Sequence, residues 1–257
     1  MPFTFSHTAA TLLFRPCLQK QKLSATGLIL GCMAPDFEYF LRMKMQGDFG
    51  HHFEGIFLVD IPVSIILALF IHIVIRDQFI EHLPHFLRQR FIVFQHYDWL
   101  SYCMKNIWII VISIFLGILT HIVWDAFTHK TGFFVQQIFF LQQMLYLGNI
   151  SIPVFKFLQY LSGVLGLWVV MMFIYKMPIS QLPESQNHTQ KMFIYWSMIL
   201  LCFITLFSWK MQLNSFSVQS LVAVLVVAIP CFFWSVLGVS ALFKYLRLNN
   251  QKPEYFD

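Results

Sequence analysis

Charged residues are scarce along this chain. Asp, Glu, Lys and Arg make up 11% of the 257 residues, whereas 58% are hydrophobic. A typical soluble domain carries roughly 25% charged residues. A soluble domain of this length and composition would have too little polar surface to cover its core. The composition therefore excludes that class and predicts an integral membrane protein.

Cysteine motifs and a standard targeting signal are also lacking. The five cysteines are scattered, odd in number and include no C-x-x-C pair, so neither a disulfide framework nor a zinc ribbon is expected. No positively charged residues precede the first apolar residues, which argues against a standard signal peptide. The net charge of +5 fits lysines and arginines on membrane-protein loops, and no nucleic-acid partner is predicted.

Long apolar segments make up most of the sequence. A membrane-spanning helix needs about 20 mostly apolar residues. Segments 107–127, 154–175, 192–209 and 218–243 meet that standard, and 57–75 does so despite internal Asp60, Pro62 and His72. Segment 23–41 has the length but carries Asp36 and Glu38 near its end. The sequence predicts an all-α, polytopic membrane helical bundle of five to six transmembrane helices.

The polar stretches divide the chain into four parts. We expect a helical membrane domain with a metal site over residues 1–175, and a polar loop over 176–191. Two C-terminal transmembrane helices then occupy 192–243, and a polar tail follows at 244–257. No internal repeat or low-complexity tract is visible.

The positive charges test whether segment 23–41 crosses the membrane, because Lys and Arg accumulate on the cytoplasmic side. If the segment crosses, the 17 positive residues divide 12 against 5, and if it does not, they divide 8 against 9. The clear bias favours six crossings with both termini in the cytoplasm. In that arrangement the minority side holds Arg42, Lys44, Lys130, Lys156 and Lys210.

Ionisable residues inside apolar helices are functional candidates, because they are costly there without partners. The sharpest cluster is His121, Asp125 and His129, at the end of a very apolar segment. Steps of four residues advance about 40° around a helix and about 6 Å along it, so His121 and Asp125 share a face. His129 joins them if the helix continues past Thr128. Imidazole and carboxylate suit zinc, manganese or iron, whereas the alternative is a buried hydrogen bond that links two helices.

Further candidates lie near the start of the chain. In the six-crossing arrangement Asp36 and His51, with its neighbour His52, fall at the same membrane face as the cluster. Each also has an ordinary interpretation, as a solvated helix-end carboxylate or as loop histidines. His7 begins on the opposite side, and it reaches the cluster only if residues 8–15 and 23–41 form a hairpin. Asp60 is either a carboxylate that orients a ligand histidine or a helix cap near Pro62.

Several motifs together resemble the domain-of-unknown-function family 4184, a group of uncharacterised bacterial membrane proteins. The resemblance covers roughly residues 1–170. It is carried by the segments Met1–His7, Gly31–Tyr39, Gly50–Gly55, Asp60–Pro62 and Leu119–His129.

That family resembles the YdjM-like inner-membrane metal-dependent hydrolases and, more distantly, zinc-dependent phospholipase C and the single-strand nucleases. The resemblance implies His7, Asp36, His51, His121 and Asp125 as metal ligands, with His129 a further candidate. His51 fits better than His52, because Gly55 follows it at the family's four-residue spacing. The soluble enzymes carry a second His/Asp pair that is missing here after residue 130, so we expect one metal, or two at most.

Two functions remain open on the sequence. The first is a metal-dependent hydrolase of the bacterial inner membrane, with a divalent metal such as zinc and a lipid or phosphoester substrate. Asp36 or Asp125 would be its catalytic base if not bound to metal. The second is a non-enzymatic transporter or structural subunit, whose His/Asp cluster joins helices.

Overall fold

The computed structural model describes residues 4–44, 52–148, 150–182, 187–213 and 221–250. Its α-helices, in chain order, are α1 (Arg15–Gln19), α2 (Ala25–Gly31), α3 (Phe37–Arg42), α4 (Phe53–Gly55), α5 (Ile61–Phe70), α6 (Arg76–Glu81), α7 (His85–Phe91), α8 (Trp99–Lys105), α9 (Ile107–Thr128), α10 (Phe133–Gln137), α11 (Phe139–Gln142), α12 (Val154–Tyr175), α13 (His188–Leu213) and α14 (Leu221–Asn250). The 3-10 segments are Thr4–Phe14, Ala34–Asp36 and Ile92–Phe94, and the π-helical segments are Ile56–Asp60 and Ile71–Ile75. Strands β1 (Met144–Leu147) and β2 (Ile150–Pro153) form one antiparallel hairpin.

Five helices of the described chain are long and apolar enough to cross a membrane. They are Phe53–Glu81, Ile107–Gln137, Val154–Tyr175, His188–Gln212 and Val222–Asn249. Such helices satisfy every backbone hydrogen bond internally, as the bilayer core requires. The predicted all-α polytopic bundle is confirmed, and the chain is a multi-pass membrane protein.

Segment 23–41 is not one of these five helices. Helix α2 ends at Gly31, and a separate 3-10 turn follows at Ala34–Asp36 before α3 begins. Pro35 contributes to the break, because it has no N–H to donate and disfavours helical backbone in the residue before it. Segment 23–41 is therefore a broken segment rather than one continuous helix.

The helix that spans Phe53–Glu81 contains Asp60 in its interior. Asp60 ends the π-helical turn Ile56–Asp60 and is fully buried. The interpretation of Asp60 as a helix cap is therefore wrong, because the helix begins seven residues earlier, at Phe53.

The chain divides into two compact units. The first comprises residues 1–39, 46–66 and 106–176. The second comprises residues 40–45, 67–105 and 177–257. In the second unit, Tyr195 packs with Ile75, Ile199 and Val236 in a buried cluster, and its hydroxyl lies 2.7 Å from Ser240 Oγ.

Close backbone contact between α2 and α9 organises the first unit. A Cβ atom added at Gly31 would lie 2.1 Å from the Ile114 carbonyl oxygen, and one at Gly117 would lie 2.5 Å from the Leu28 carbonyl oxygen. The two helices run in the same direction, since Ser24 N bonds Ser113 Oγ at one end and Cys32 O meets His121 Nδ1 at the other. Glycine at these positions lets the helices approach closely, as in many membrane helix pairs.

Residues 4–36 form a helical hairpin, which we call the N-terminal hairpin. Its outward limb is Thr4–Gln19 and its return limb is Ser24–Asp36. The two ends meet where Thr4 Oγ1 donates to Asp36 Oδ2 over 2.5 Å. The outward limb packs on α12, where a Cβ atom at Gly166 would lie 2.7 Å from the Ser6 carbonyl oxygen.

Candidate metal centre

His121 and Asp125 lie one turn apart on the last part of α9. The i,i+4 spacing places both side chains on one face of the helix. The His121 side chain is fully buried and Asp125 is 9% exposed. His121 Nε2 lies 3.3 Å from Asp125 Oδ2. One helix therefore supplies an imidazole and a carboxylate to the same buried point.

The return limb of the hairpin adds Asp36. Its Oδ1 atom lies 3.7 Å from His121 Nε2, and the residue is 1% exposed. Oδ2 accepts the hydrogen bond from Thr4. Within the described parts of the chain, Oδ1 has no hydrogen-bond partner. Thr4 thus holds one oxygen of Asp36 and leaves the other directed toward His121.

The outward limb adds His7. Its Nε2 atom lies 3.7 Å from Asp125 Oδ1, and its ring stacks on His121 with centroids 4.0 Å apart. The hairpin is the arrangement that His7 requires in order to reach the cluster.

His129 reaches the cluster from outside the helix. Helix α9 ends at Thr128 and His129 has extended backbone (φ −116°, ψ 144°), so the helical continuation that would place His129 beside Asp125 is not present. Its Nδ1 atom nevertheless lies 3.3 Å from Asp125 Oδ1. The Gln159 amide nitrogen lies 2.9 Å from His129 Nε2. An amide nitrogen only donates, so Nε2 accepts and Nδ1–H faces Asp125.

A backbone carbonyl fixes the tautomer of His121. The Cys32 carbonyl oxygen lies 2.7 Å from His121 Nδ1, and a carbonyl only accepts, so Nδ1 carries the proton. The Nε2 lone pair is then directed at the carboxylates of Asp36 and Asp125. Metal-binding histidines are commonly held in this way, with the second ring nitrogen bonded to a carbonyl or carboxylate.

The donor separations fit a divalent cation. Zinc binds nitrogen and oxygen at about 2.0–2.2 Å, so neighbouring ligands of a tetrahedron lie about 3.4 Å apart. The four separations given above are 3.3 to 3.7 Å. The group formed by His7, His121 and Asp125 offers donor atoms all within 4.8 Å of one another. These residues could hold a metal ion.

Charge also fits the site to a cation. Asp36 and Asp125 are two buried carboxyl groups, and buried charges are costly without compensation. The group formed by His7, His121 and Asp125 contains no cysteine, and Cys32 Sγ lies 3.3 Å from Thr120 Oγ1. The donor set is therefore nitrogen and oxygen only, which suits zinc, manganese or iron.

A small cavity opens beside the cluster. Its volume is about 10 Å³, room for about one water molecule. Besides His7, Asp125 and His129, the wall includes Ser6, Trp124, Thr128, Gln159, Ser162 and Gly163. The cavity therefore lies among the outward limb, α9 and α12, and polar atoms line much of it.

The structure brings together five of the six predicted metal ligands: His7, Asp36, His121, Asp125 and His129. The sixth, His51, lies outside the described residues. Its neighbour His52 is exposed and immediately precedes α4. The two predicted catalytic carboxylates, Asp36 and Asp125, both face His121.

Sequence reasoning missed three partners of this cluster. Thr4 has no sequence feature that links it to Asp36, and the Cys32 carbonyl carries no side-chain signal. Gln159 had a usable signal, since it is a buried polar residue in an apolar helix.

Comparison with known proteins identifies a family without an assigned activity. A family model described as a domain of unknown function, DUF4184, matches residues 1–242. The chain belongs to this family. No curated protein and no solved structure matches the chain.

Proposed function

We propose that this DUF4184 protein is a membrane metal-dependent hydrolase, with one divalent cation, zinc, bound by His7, Asp36, His121 and Asp125. The observation that carries the proposal is the set of separations of 3.3 to 3.7 Å around His121 and Asp125. Neighbouring ligands of one zinc ion lie about 3.4 Å apart, which is close to these values. His7, His121 and Asp125 offer donor atoms within 4.8 Å of one another.

The alternative, a His/Asp cluster that only joins helices, is less favoured by the same distances. A charged hydrogen bond between imidazolium and carboxylate is about 2.7–2.9 Å long. The separations here exceed that value, while the 2.7 Å contact from His121 Nδ1 goes to Cys32 O. The cluster is spaced for a shared ion and held in place by bonds to other groups.

The residues around the cation have separate roles in the proposed reaction. A bound divalent ion supplies Lewis acidity, which activates water and polarises a phosphoryl or acyl oxygen. Thr4 and the Cys32 carbonyl orient Asp36 and His121. His129 is partly exposed, lines the cavity and contacts Asp125, so we assign it proton transfer rather than metal binding.

The surroundings of the cavity favour a lipid-linked substrate. Its wall includes residues of α9 and α12, which belong to two of the membrane-crossing helices. Trp124, which lines the cavity, is 46% exposed, and such an amphipathic ring is typical of the membrane interface. We therefore propose a lipid phosphoester or a related lipid ester as the substrate class.

The finer assignments rest on the sequence resemblance. Relation to the YdjM-like metal-dependent hydrolases and location in a bacterial inner membrane both belong to this proposal. They agree with a metal site built into membrane-crossing helices.

Hydrolysis by the purified protein tests the proposal. The protein is reconstituted in phospholipid vesicles and release of phosphate or headgroup is measured with zinc, with EDTA, and after zinc is restored. We expect metal-dependent turnover that Asp125→Asn abolishes and that His85→Ala retains, because His85 is exposed and lies in the second unit. Turnover that is unchanged in EDTA and in Asp125→Asn would contradict the proposal.

A further inference from the structure

We infer that the N-terminal hairpin crosses the membrane twice, so that its turn reaches the cytoplasmic face while the metal cluster opens on the opposite face. The placement of the chain is independent of the chemistry of the site. The consequence for substrate, that it is presented by the non-cytoplasmic leaflet, rests on the proposed function.

The length of the outward limb is the first observation. It comprises eleven 3-10 residues, Thr4–Phe14, and five α-helical residues, Arg15–Gln19. At about 2.0 and 1.5 Å per residue, the limb is about 30 Å long. The hydrocarbon core of a bilayer is also about 30 Å thick. The limb is therefore long enough to cross.

The register of α2 against α9 is the second observation. The return limb begins where Ser24 N bonds Ser113 Oγ, six residues after α9 starts at Ile107. Six helical residues span about 9 Å. The turn at residues 20–23 precedes Ser24, so it lies still closer to the level at which α9 begins. The return limb then runs beside α9 from Ser113 to His121, about 12 Å, toward the end of α9 that carries the metal cluster.

The outer surface of the hairpin is the third observation. Leu13 is 79% exposed, and Phe5 and Ile29 are 48% and 42% exposed. The return limb of the hairpin packs on α9 and the outward limb packs on α12, and both of these helices are long and apolar enough to cross a membrane. Large apolar side chains on this surface are expected if lipid surrounds it, whereas in water they would form an exposed hydrophobic patch.

The positive charges supply an independent argument. Five crossings without the hairpin divide the 17 Lys and Arg residues 8 against 9, which gives no orientation. A hairpin that crosses twice places Lys20 and Lys22, both exposed, on the side that already holds nine. Arg15, also exposed, lies near the same end of the outward limb and extends its long side chain to that side. The division becomes 12 against 5, a clear bias under the positive-inside rule.

The hairpin therefore accounts for two facts that conflicted in the six-crossing arrangement. Arg15, Lys20 and Lys22 lie with the majority of positive charges, while His7 lies at the metal cluster. The majority side is cytoplasmic, and the end of α9 that carries Asp125 is on the other side. The N-terminus then lies on the non-cytoplasmic side, opposite to the C-terminus.

Chemical labelling of the wild-type protein tests this placement without any substitution. Intact cells that express the chain are treated with a membrane-impermeant amine reagent, and modified lysines are identified by mass spectrometry. We expect Lys130 to react in intact cells, and Lys20, Lys22 and Lys176 to react only after permeabilisation. Reaction of Lys20 or Lys22 in intact cells, or protection of Lys130, overturns the inference.

Single cysteines provide a second measurement. In a variant whose native cysteines are replaced by serine or alanine, Gln19→Cys reports on the hairpin turn, and Tyr146→Cys and Gln181→Cys report on the two faces. All three positions are exposed. We expect an impermeant maleimide to label Tyr146→Cys from outside and the other two only after permeabilisation. Labelling of Gln19→Cys from outside, as for Tyr146→Cys, would contradict a double crossing. So would a Gln19→Cys that is not labelled even after permeabilisation.

The two proposals fail in different ways. If the labelling is as expected but there is no metal-dependent turnover, the topology is supported and the proposed function is wrong. If there is metal-dependent turnover but Lys20 reacts from outside, the proposed function is supported and the topology is wrong. Melting temperature and gel filtration of the cysteine-free variant, compared with wild type, verify that it is folded.

Discussion

The Nδ1 atom of His121 lies 2.7 Å from the carbonyl oxygen of Cys32, a residue 89 positions earlier in the chain. This contact fixes the orientation of the imidazole that faces Asp36 and Asp125. It also links the geometry of the metal cluster to the packing of α2 against α9, because Cys32 follows the last residue of α2 directly.

Gly31 is the position at which that packing is most sensitive to an added methyl group. We expect Gly31→Ala to destabilise the protein by about 1–3 kcal/mol, because the new Cβ would clash with the backbone of α9 at Ile114. Displacement of α2 moves the Cys32 carbonyl, so metal affinity should fall as well. Gly238→Ala is the matched control, since no atom lies within 4 Å of its added Cβ. Equal melting temperatures for the two variants would contradict the helix-contact argument.

Thr4 is expected to act on metal affinity through Asp36. Thr4→Val keeps the shape of the side chain and removes the hydroxyl that donates to Asp36 Oδ2. Loss of such a supporting bond typically weakens metal binding about 10–100-fold. Competition with a fluorescent zinc chelator measures the change. Thr8→Val is the control, because the Thr8 hydroxyl donates to the nearby Phe5 carbonyl. A similar loss in both variants would argue against a role through Asp36.

His129 should separate metal binding from proton transfer. If it transfers protons, His129→Gln keeps the metal and lowers kcat by about 10²–10⁴-fold, the usual range for a general acid or base. The pH profile of the remaining activity should lose one limb. Metal analysis and steady-state kinetics on one preparation distinguish the outcomes, and loss of the metal in His129→Gln would make His129 a ligand instead.

Acid sensitivity is expected in the second unit at His82. Its ring stacks on Tyr195, and burial lowers its pKa below the ordinary 6.5, with opposing effects from Gln78 and Glu81 and a further lowering by His188 and Lys191. Below about pH 6.5, His82 is protonated in the unfolded chain and still neutral in the folded chain. The stability is fully present above pH 6.5 and falls as the pH drops below that value.

Thermal unfolding in detergent at pH 7.5 and 5.5 checks this expectation. The melting temperature should fall on acidification, and the fall should be smaller in His82→Gln, which cannot titrate. The comparison between the two proteins removes contributions from other histidines. An equal fall in both would show that His82 is not the group responsible.

The sequence predicts the apolar helices well because a membrane span leaves a long hydropathy signal. It also predicts that His121 and Asp125 share a face, because four-residue spacing has a definite meaning on a helix. It does not predict the break in 23–41, because mean hydropathy is nearly the same for a straight span and for α2 followed by a turn at Pro35.

The rest of the site depends on contacts between distant residues. Joining His7 to Asp125 requires knowledge that residues 4–36 form a hairpin, and local patterning carries no such information. Gln159 meets His129 only because α12 packs beside the end of α9. The Cys32 contribution comes from a backbone carbonyl, which every residue has, so no residue type marks it.

Metal content of the purified protein tests the central claim most directly. The chain is purified from zinc-supplemented cells, dialysed against metal-free buffer and analysed by inductively coupled plasma mass spectrometry, with His85→Ala as the control and with His121→Ala and Asp125→Ala. We predict about one zinc per chain in wild type and His85→Ala, and less than about one tenth in the two site variants. Folded wild-type protein that holds no metal, or site variants that hold as much as wild type, would contradict the account.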